Sequence, residues 1–166
     1  EASFDALVAK HRWRNIFINE NLKRRFSESE LATELALNPP SLEHIDFGNL
    51  FRLRALSVRH VGKEVTVYFW WKPLLTISQQ DDWYFFIHTI DDAGKNVGNE
   101  AVMIHYNRPL SSLDSMFLFD KFTFKVPSGS GTKRLGVGFY RPNQEIPLAD
   151  KGTRDWGNRR VIVPLP

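Results

Sequence analysis

The chain has no cysteine among its 166 residues. That excludes disulfides, a thiolate nucleophile and any zinc or iron–sulfur site built on Cys, and it leaves the redox compartment unreadable. Long apolar runs are missing as well, since nothing approaches the roughly 18 consecutive apolar residues of a membrane span. An excess of one charge is also lacking. Twenty-two Lys and Arg stand against nineteen Asp and Glu, a formal charge of +3, too little over a whole domain to argue for nucleic acid. There is no charged-then-apolar leader and the first residue is Glu1, so the chain reads as a mature product or as a fragment of something longer. Catalytic signatures are absent too: no Gly-x-Ser-x-Gly elbow, no Gly-x-x-x-x-Gly-Lys phosphate loop, no His-Glu-x-x-His. The stretch GSGTK (129–133) has phosphate-loop letters, but it lies between two expected strands instead of opening a helix.

What is present divides into two grammars. In residues 3–37, Phe4, Leu7, Val8, His11, Ile18, Leu22 and Phe26 recur at helical spacing. Ser27-Glu28-Ser29-Glu30 has the form of a capping box opening a second, shorter helix, which Asn38-Pro39-Pro40 ends. The first helix carries Lys10, Arg12, Arg14, Lys23, Arg24 and Arg25. A basic amphipathic stretch of this kind is a candidate for docking on anionic lipid or on a parent protein, though such runs are also ordinary solvated faces.

After the prolines, short segments rich in β-branched and aromatic residues take over. Strands are expected near 50–59, 64–71, 83–91, 100–106, 116–126, 133–141 and 159–164, separated by turn chemistry such as HVGK, DDAGKNVGN and PSGSG. Val65, Val67, Phe69 and Trp71 alternate with Thr66, Tyr68 and Trp70, the period of a half-buried strand. The expected fold is an all-β antiparallel sandwich of about seven to eight strands, immunoglobulin- or jelly-roll-like, over residues 41–166, with a helical appendage at 1–40.

The stretch DDWYFFIHTIDDAGK (81–95) holds the sharpest chemical question, a histidine between aromatic residues and acids. As a strand it puts Tyr84, Phe86, His88 and Ile90 on one face and Trp83, Phe85 and Ile87 on the other, both largely apolar, so His88 reads as a hydrogen-bonded core residue. The competing reading pairs His88 with His105 of the next strand and adds a carboxylate, as a metal site. Asp91-Asp92-Ala93-Gly94-Lys95 lacks the acid spacing of a calcium loop and reads as a turn.

Trp70, Trp71, Trp83, Tyr84 and Trp156 are the candidate ligand-binding residues, because flat aromatic faces either stack on sugar rings or fill a core. Trp70 and Trp71 are adjacent and cannot both point inward. One of them belongs to the second face of the sheet, under the helices or open as a platform.

The order of these motifs resembles a known module. VTVYFWWKPLLTISQQDDWYFFIHTIDDAGKNV, FKVPSGSGTKRLGVGFYRP, EIPLAD and RRVIVPLP together resemble the extracytoplasmic C-terminal β-sandwich of multi-pass bacterial membrane glycosyltransferases similar to dolichyl-phosphate-mannose protein mannosyltransferases. The resemblance spans roughly residues 45–166. His88, Asp91, Asp92 and Gly94 match its strand-and-turn motif, Gly136, Val137, Gly138 and Tyr140 its penultimate strand, and Pro147 and Leu148 its turn. None of these is a catalytic position. The resemblance implies an accessory, extracytoplasmic domain of a membrane or envelope-associated protein, whose partners are glycan or the parent enzyme and which needs no cofactor. Two other readings stand beside it: an interaction module docking through the basic segment, and a small His/Asp metal enzyme.

Overall fold

The computed structural model describes residues 25–74, 83–103, 116–129, 131–141, 144–145, 154–155 and 160–166. In chain order the elements are β1 (Arg25–Phe26), α1 (Glu28–Leu37), β2 (Leu42–Phe47), β3 (Phe51–Val61), β4 (Glu64–Pro73), β5 (Tyr84–Ile90) and β6 (Asn96–Met103). They continue with β7 (Phe117–Lys125), β8 (Arg134–Arg141), β9 (Gln144–Glu145), β10 (Arg154–Asp155) and β11 (Arg160–Pro164). Eight of these are strands of full length, in two four-stranded antiparallel sheets. Sheet 1 has the order β7-β4-β3-β2, with the two residues of β1 added outside β7. Sheet 2 has the order β11-β8-β5-β6, with β10 outside β11 and β9 folded back on β8. The β4–β5, β6–β7 and β7–β8 connections pass from sheet to sheet, which makes the two sheets the halves of one antiparallel sandwich.

Strict alternation builds the core between the sheets. Val65, Val67, Phe69 and Trp71 of β4 face Phe85 and Ile87 of β5 and Leu135, Val137 and Phe139 of β8. Phe69 stacks on Phe85 at 4.2 Å and Phe51 on Phe139 at 4.4 Å, contacts that join one sheet to the other. Each such ring buries a large apolar surface, and truncating one to Ala in a packed core costs about 3–5 kcal/mol. Turn chemistry sets the registers. Gly62 supplies the positive φ at the first position of the two-residue β3–β4 hairpin. In the β5–β6 turn the Asp91 carboxylate accepts the Lys95 amide at 2.9 Å while Gly94 takes a φ of 82°.

Two differences from the sequence expectation concern the N-terminal part. Ser27 caps α1 as expected, accepting from the Glu30 amide while the Glu30 carboxylate takes the Ser27 N–H. The preceding residues do not continue a helix: Arg25 and Phe26 pair with Leu118 and Phe117 as a short strand. Phe26, counted at helical spacing, instead packs on Trp70 and Phe119 from the sheet edge. Residues 25–37, assigned to the appendage, thus lie on the outer face of sheet 1. The second difference is β2, which the sequence reading passed over. LEHIDF alternates poorly and holds His44 at a φ of 55°.

A bulge in β3 explains how α1 is seated. The register with β4 shifts between Leu53 and Ala55, so Arg54 is an extra residue and both Arg54 and Ala55 point outward. Ala55 makes room under the helix, where Leu31 and Leu35 close over Trp70 and Phe117. Arg54 donates to both Glu28 oxygens at 2.8–3.1 Å and to Glu43 at 3.1 Å, tying the first turn of α1 and strand β2 to one guanidinium.

Candidate functional site

The chemistry-bearing residues fall on three surfaces. The first is the interior. Asp120 is 2% exposed and accepts the Trp71 indole N–H at 2.7 Å, with Trp71 itself fully buried. Trp83 lies in the same core against Phe51. Trp71 and Trp83 therefore hold the sheets together and offer no face to a ligand, which corrects their assignment as binding residues.

The second surface is the outer face of sheet 1. Trp70, the other half of the adjacent pair, sits there under α1 at 8% exposure, so it too is packed rather than presented. Alternation read the split of the pair, one ring in the core and one on the second face, and the structure covers the second ring with a helix. Next to Trp70 the face carries Phe119 and Tyr68, half-buried and stacked at 6.2 Å, with the Lys121 ammonium 5.8 Å from the Tyr68 ring centre. At the helix end, hydrogen bonds from Arg54 hold the Glu28 carboxyl below its usual value, against the opposing effect of burial. The same bonds raise the Arg54 guanidinium above its own.

The third surface is the outer face of sheet 2, where His88 lies at 6% exposure beside Phe86. Arg160, on β11 and 4% exposed, sends its side chain across β8 to β5 and β6. One of its terminal nitrogens is 3.0 Å from His88 Nδ1 and 2.6 Å from Asn96 Oδ1. A guanidinium only donates, so His88 Nδ1 accepts and the ring is neutral with its proton on Nε2. Gly136 opens the route: a Cβ there would fall 2.6 Å from Arg160 Cδ and 3.0 Å from Nε. Along the same face Tyr84 stacks on Tyr140 at 5.2 Å, both half-buried.

His88 is thus a buried, hydrogen-bonded ring, and the residue opposite it on β6 is Asn99. His105 lies outside the described residues, as do Trp156, Lys10, Arg12, Arg14, Lys23 and Arg24. Arg25 is described as a backbone partner of Leu118. Among the described residues no group of three or more His, Cys, Asp or Glu could hold a metal ion. Sequence reasoning missed Arg160 and Asn96. The signal available was Gly136, a glycine inside a strand, which marks the close approach of another group. No protein family, no curated protein and no solved structure matches this chain.

Proposed function

We propose that this chain is an accessory, extracytoplasmic β-sandwich domain of a larger cell-envelope protein, and that it binds glycan and does not transform it. The observation that carries the reading is the Tyr84–Tyr140 pair, two half-buried rings stacked at 5.2 Å on the outer face of sheet 2. Rigid aromatic faces with a hydroxyl at the rim suit a sugar ring, which presents C–H groups on its faces and hydroxyls at its edge. The Arg160–His88–Asn96 bonds beside the pair fix three strands relative to one another, so the platform is pre-organised. The resemblance of the motif order to the glycosyltransferase-associated module supports the same reading and is the ground for proposing the envelope setting. The test is calorimetric titration with a broad panel of neutral and charged oligosaccharides, using wild type, Tyr84→Ala and Tyr140→Ala. Binding that both substitutions weaken supports the proposal, and a flat response across the panel sinks it.

A second reading has one observation in its favour. The Lys23-Arg24-Arg25 run adjoins β1 in sequence, and its last member, Arg25, is the first residue of that strand, which pairs with β7 at the edge of sheet 1. Docking on anionic membrane or on the parent protein then uses Lys10, Arg12, Arg14, Lys23, Arg24 and Arg25. Neutralising Lys23, Arg24 and Arg25 should abolish co-sedimentation with anionic liposomes, and sedimentation that is absent or unchanged rules out lipid docking.

A further inference from the structure

The helix α1 covers one part of the outer face of sheet 1, where Leu31 and Leu35 pack over Ala55, Trp70 and Phe117. Beyond that part, cross-strand register places three rows on β3, β4 and β7. They are Ser57, Tyr68 and Lys121; Arg59, Thr66 and Thr123; and Val61, Glu64 and Lys125. All nine point outward, because Val58, Val65, Val67, Phe122 and Phe124 between them pack into the inter-sheet core. Arg59, Val61, Glu64, Lys121, Thr123 and Lys125 are exposed, and Ser57 and Tyr68 half-buried.

Three features of this surface point the same way. Its charge is positive: Arg59, Lys121 and Lys125 stand against the single acid Glu64 among the described residues, and Glu64 lies in register with Lys125, which leaves Arg59 and Lys121 flanking Tyr68. Its centre is aromatic, with Tyr68 stacked on Phe119 and Phe119 5.1 Å from Trp70. Its polar lining is hydroxyl, the Thr66 and Thr123 oxygens 3.1 Å apart beside Ser57.

Resting on the glycan-binding reading, we propose that this part of sheet 1, beyond the cover of α1, binds an acidic glycan. A sugar ring lies against Tyr68 and Phe119, and carboxylate groups of the chain meet Arg59 and Lys121. Arg59 and Lys121 sit two strands and one row apart, roughly 12 Å from strand and residue spacings. The footprint is that of an oligosaccharide segment. Cations at that spacing select a ligand with repeated negative charge, while the aromatic and hydroxyl groups between them select sugar over a bare polyanion.

The experiment titrates the whole chain with alginate oligosaccharides as a polyuronate probe, with neutral dextran oligosaccharides in parallel, and with Arg59→Glu, Lys121→Glu, Tyr68→Ala and Tyr84→Ala. Thermal melts establish that each variant is folded. The expected result is polyuronate binding that falls as salt rises and that Arg59→Glu, Lys121→Glu and Tyr68→Ala each weaken at least about fivefold. Polyuronate bound no better than dextran, or bound equally by the charge-reversed variants, overturns the inference. Neutral binding lost in Tyr84→Ala alone leaves the glycan-binding reading standing and removes this one, whereas no binding by any sugar removes both. Co-sedimentation with anionic vesicles that the same charge reversals abolish, without polyuronate binding, assigns the face to a membrane and also overturns the inference.

Discussion

Replacing Gly136 by Ala tests whether Arg160 is the clasp of sheet 2. Gly136 has no positive φ, so its backbone accepts any residue, and the whole effect of the methyl group comes from what it meets. It meets the Arg160 side chain at 2.6 Å from Cδ, closer than packed carbon atoms allow. Arg160 has to lift from the sheet, losing its bonds to His88 and Asn96. Overpacking of this kind costs about 1–3 kcal/mol, and a lost hydrogen bond to a charged group about 1.5–3 kcal/mol. The intrinsic gain of Ala over Gly inside a strand returns roughly 0.5–1 kcal/mol. The net is about 3 kcal/mol of destabilisation, which for a chain of this size lowers the melting midpoint by roughly 6–12 °C. Urea unfolding of wild type, Gly136→Ala, Arg160→Ala and the double variant closes a cycle. If Arg160 is what the methyl group meets, Gly136→Ala costs almost nothing once Arg160 is Ala, and the coupling is about 2 kcal/mol or more. Effects that add to within about 0.5 kcal/mol refute the argument.

Two other outcomes follow from the buried polar contacts. The Glu28 carboxyl is held low by Arg54, so its contribution to stability is complete above the ordinary carboxylate value and is lost as pH falls through the lowered one. Acid titration of stability should show that loss in wild type and a flatter profile in Arg54→Met, with an amplitude of at most about 1 kcal/mol because the Glu28 side chain is 58% exposed. Trp71→Phe keeps the ring but removes the donor to the buried Asp120 carboxylate. It should cost about 1–3 kcal/mol in urea unfolding, with much of the loss recovered by adding Asp120→Leu, whose side chain needs no donor.

How far the fold was legible depends on whether the determining contacts were local. The alternation in β4 was readable because each residue's face follows from its neighbour's, and the Asp91–Lys95 turn was readable because Asp91 satisfies its own corner. The capping box at Ser27 belongs to the same class. The bulge at Arg54 was not readable, since nothing in FRLRALSV says that two successive residues share a face. It becomes necessary only once Glu28 and Glu43, 26 and 11 residues away, converge on one guanidinium. The strand at Arg25–Phe26 was lost for a related reason: helical spacing of apolar residues persists into a segment whose backbone bonds go to β7, ninety residues on.

The histidine shows where the same boundary falls in the site. Two apolar faces on one strand were enough to place His88 inside and hydrogen-bonded, because an imidazole there has no water to turn to. The identity of its partner was a different question, and proximity in sequence favoured His105 across the hairpin. The turn closes within Asp91–Lys95 and pairing resumes at Asn96, which sets Asn99 opposite His88 and brings Met103 level with Tyr84. One partner on the ring's Nδ1 arrives from the last strand, 72 residues away, over a glycine. Gly136 was visible in the sequence as an outward glycine, as was Gly138, in a strand whose inward residues are bulky, and a missing side chain at such a position marks room for a long one lying across it. The implication gives the position of the crossing group and its length, but its chemistry follows only from strand order. Once β11 is known to flank β8, Arg160 is the outward, long and donating residue on it, and a ring that accepts from that donor through Nδ1 has no lone pair left there to act as a base.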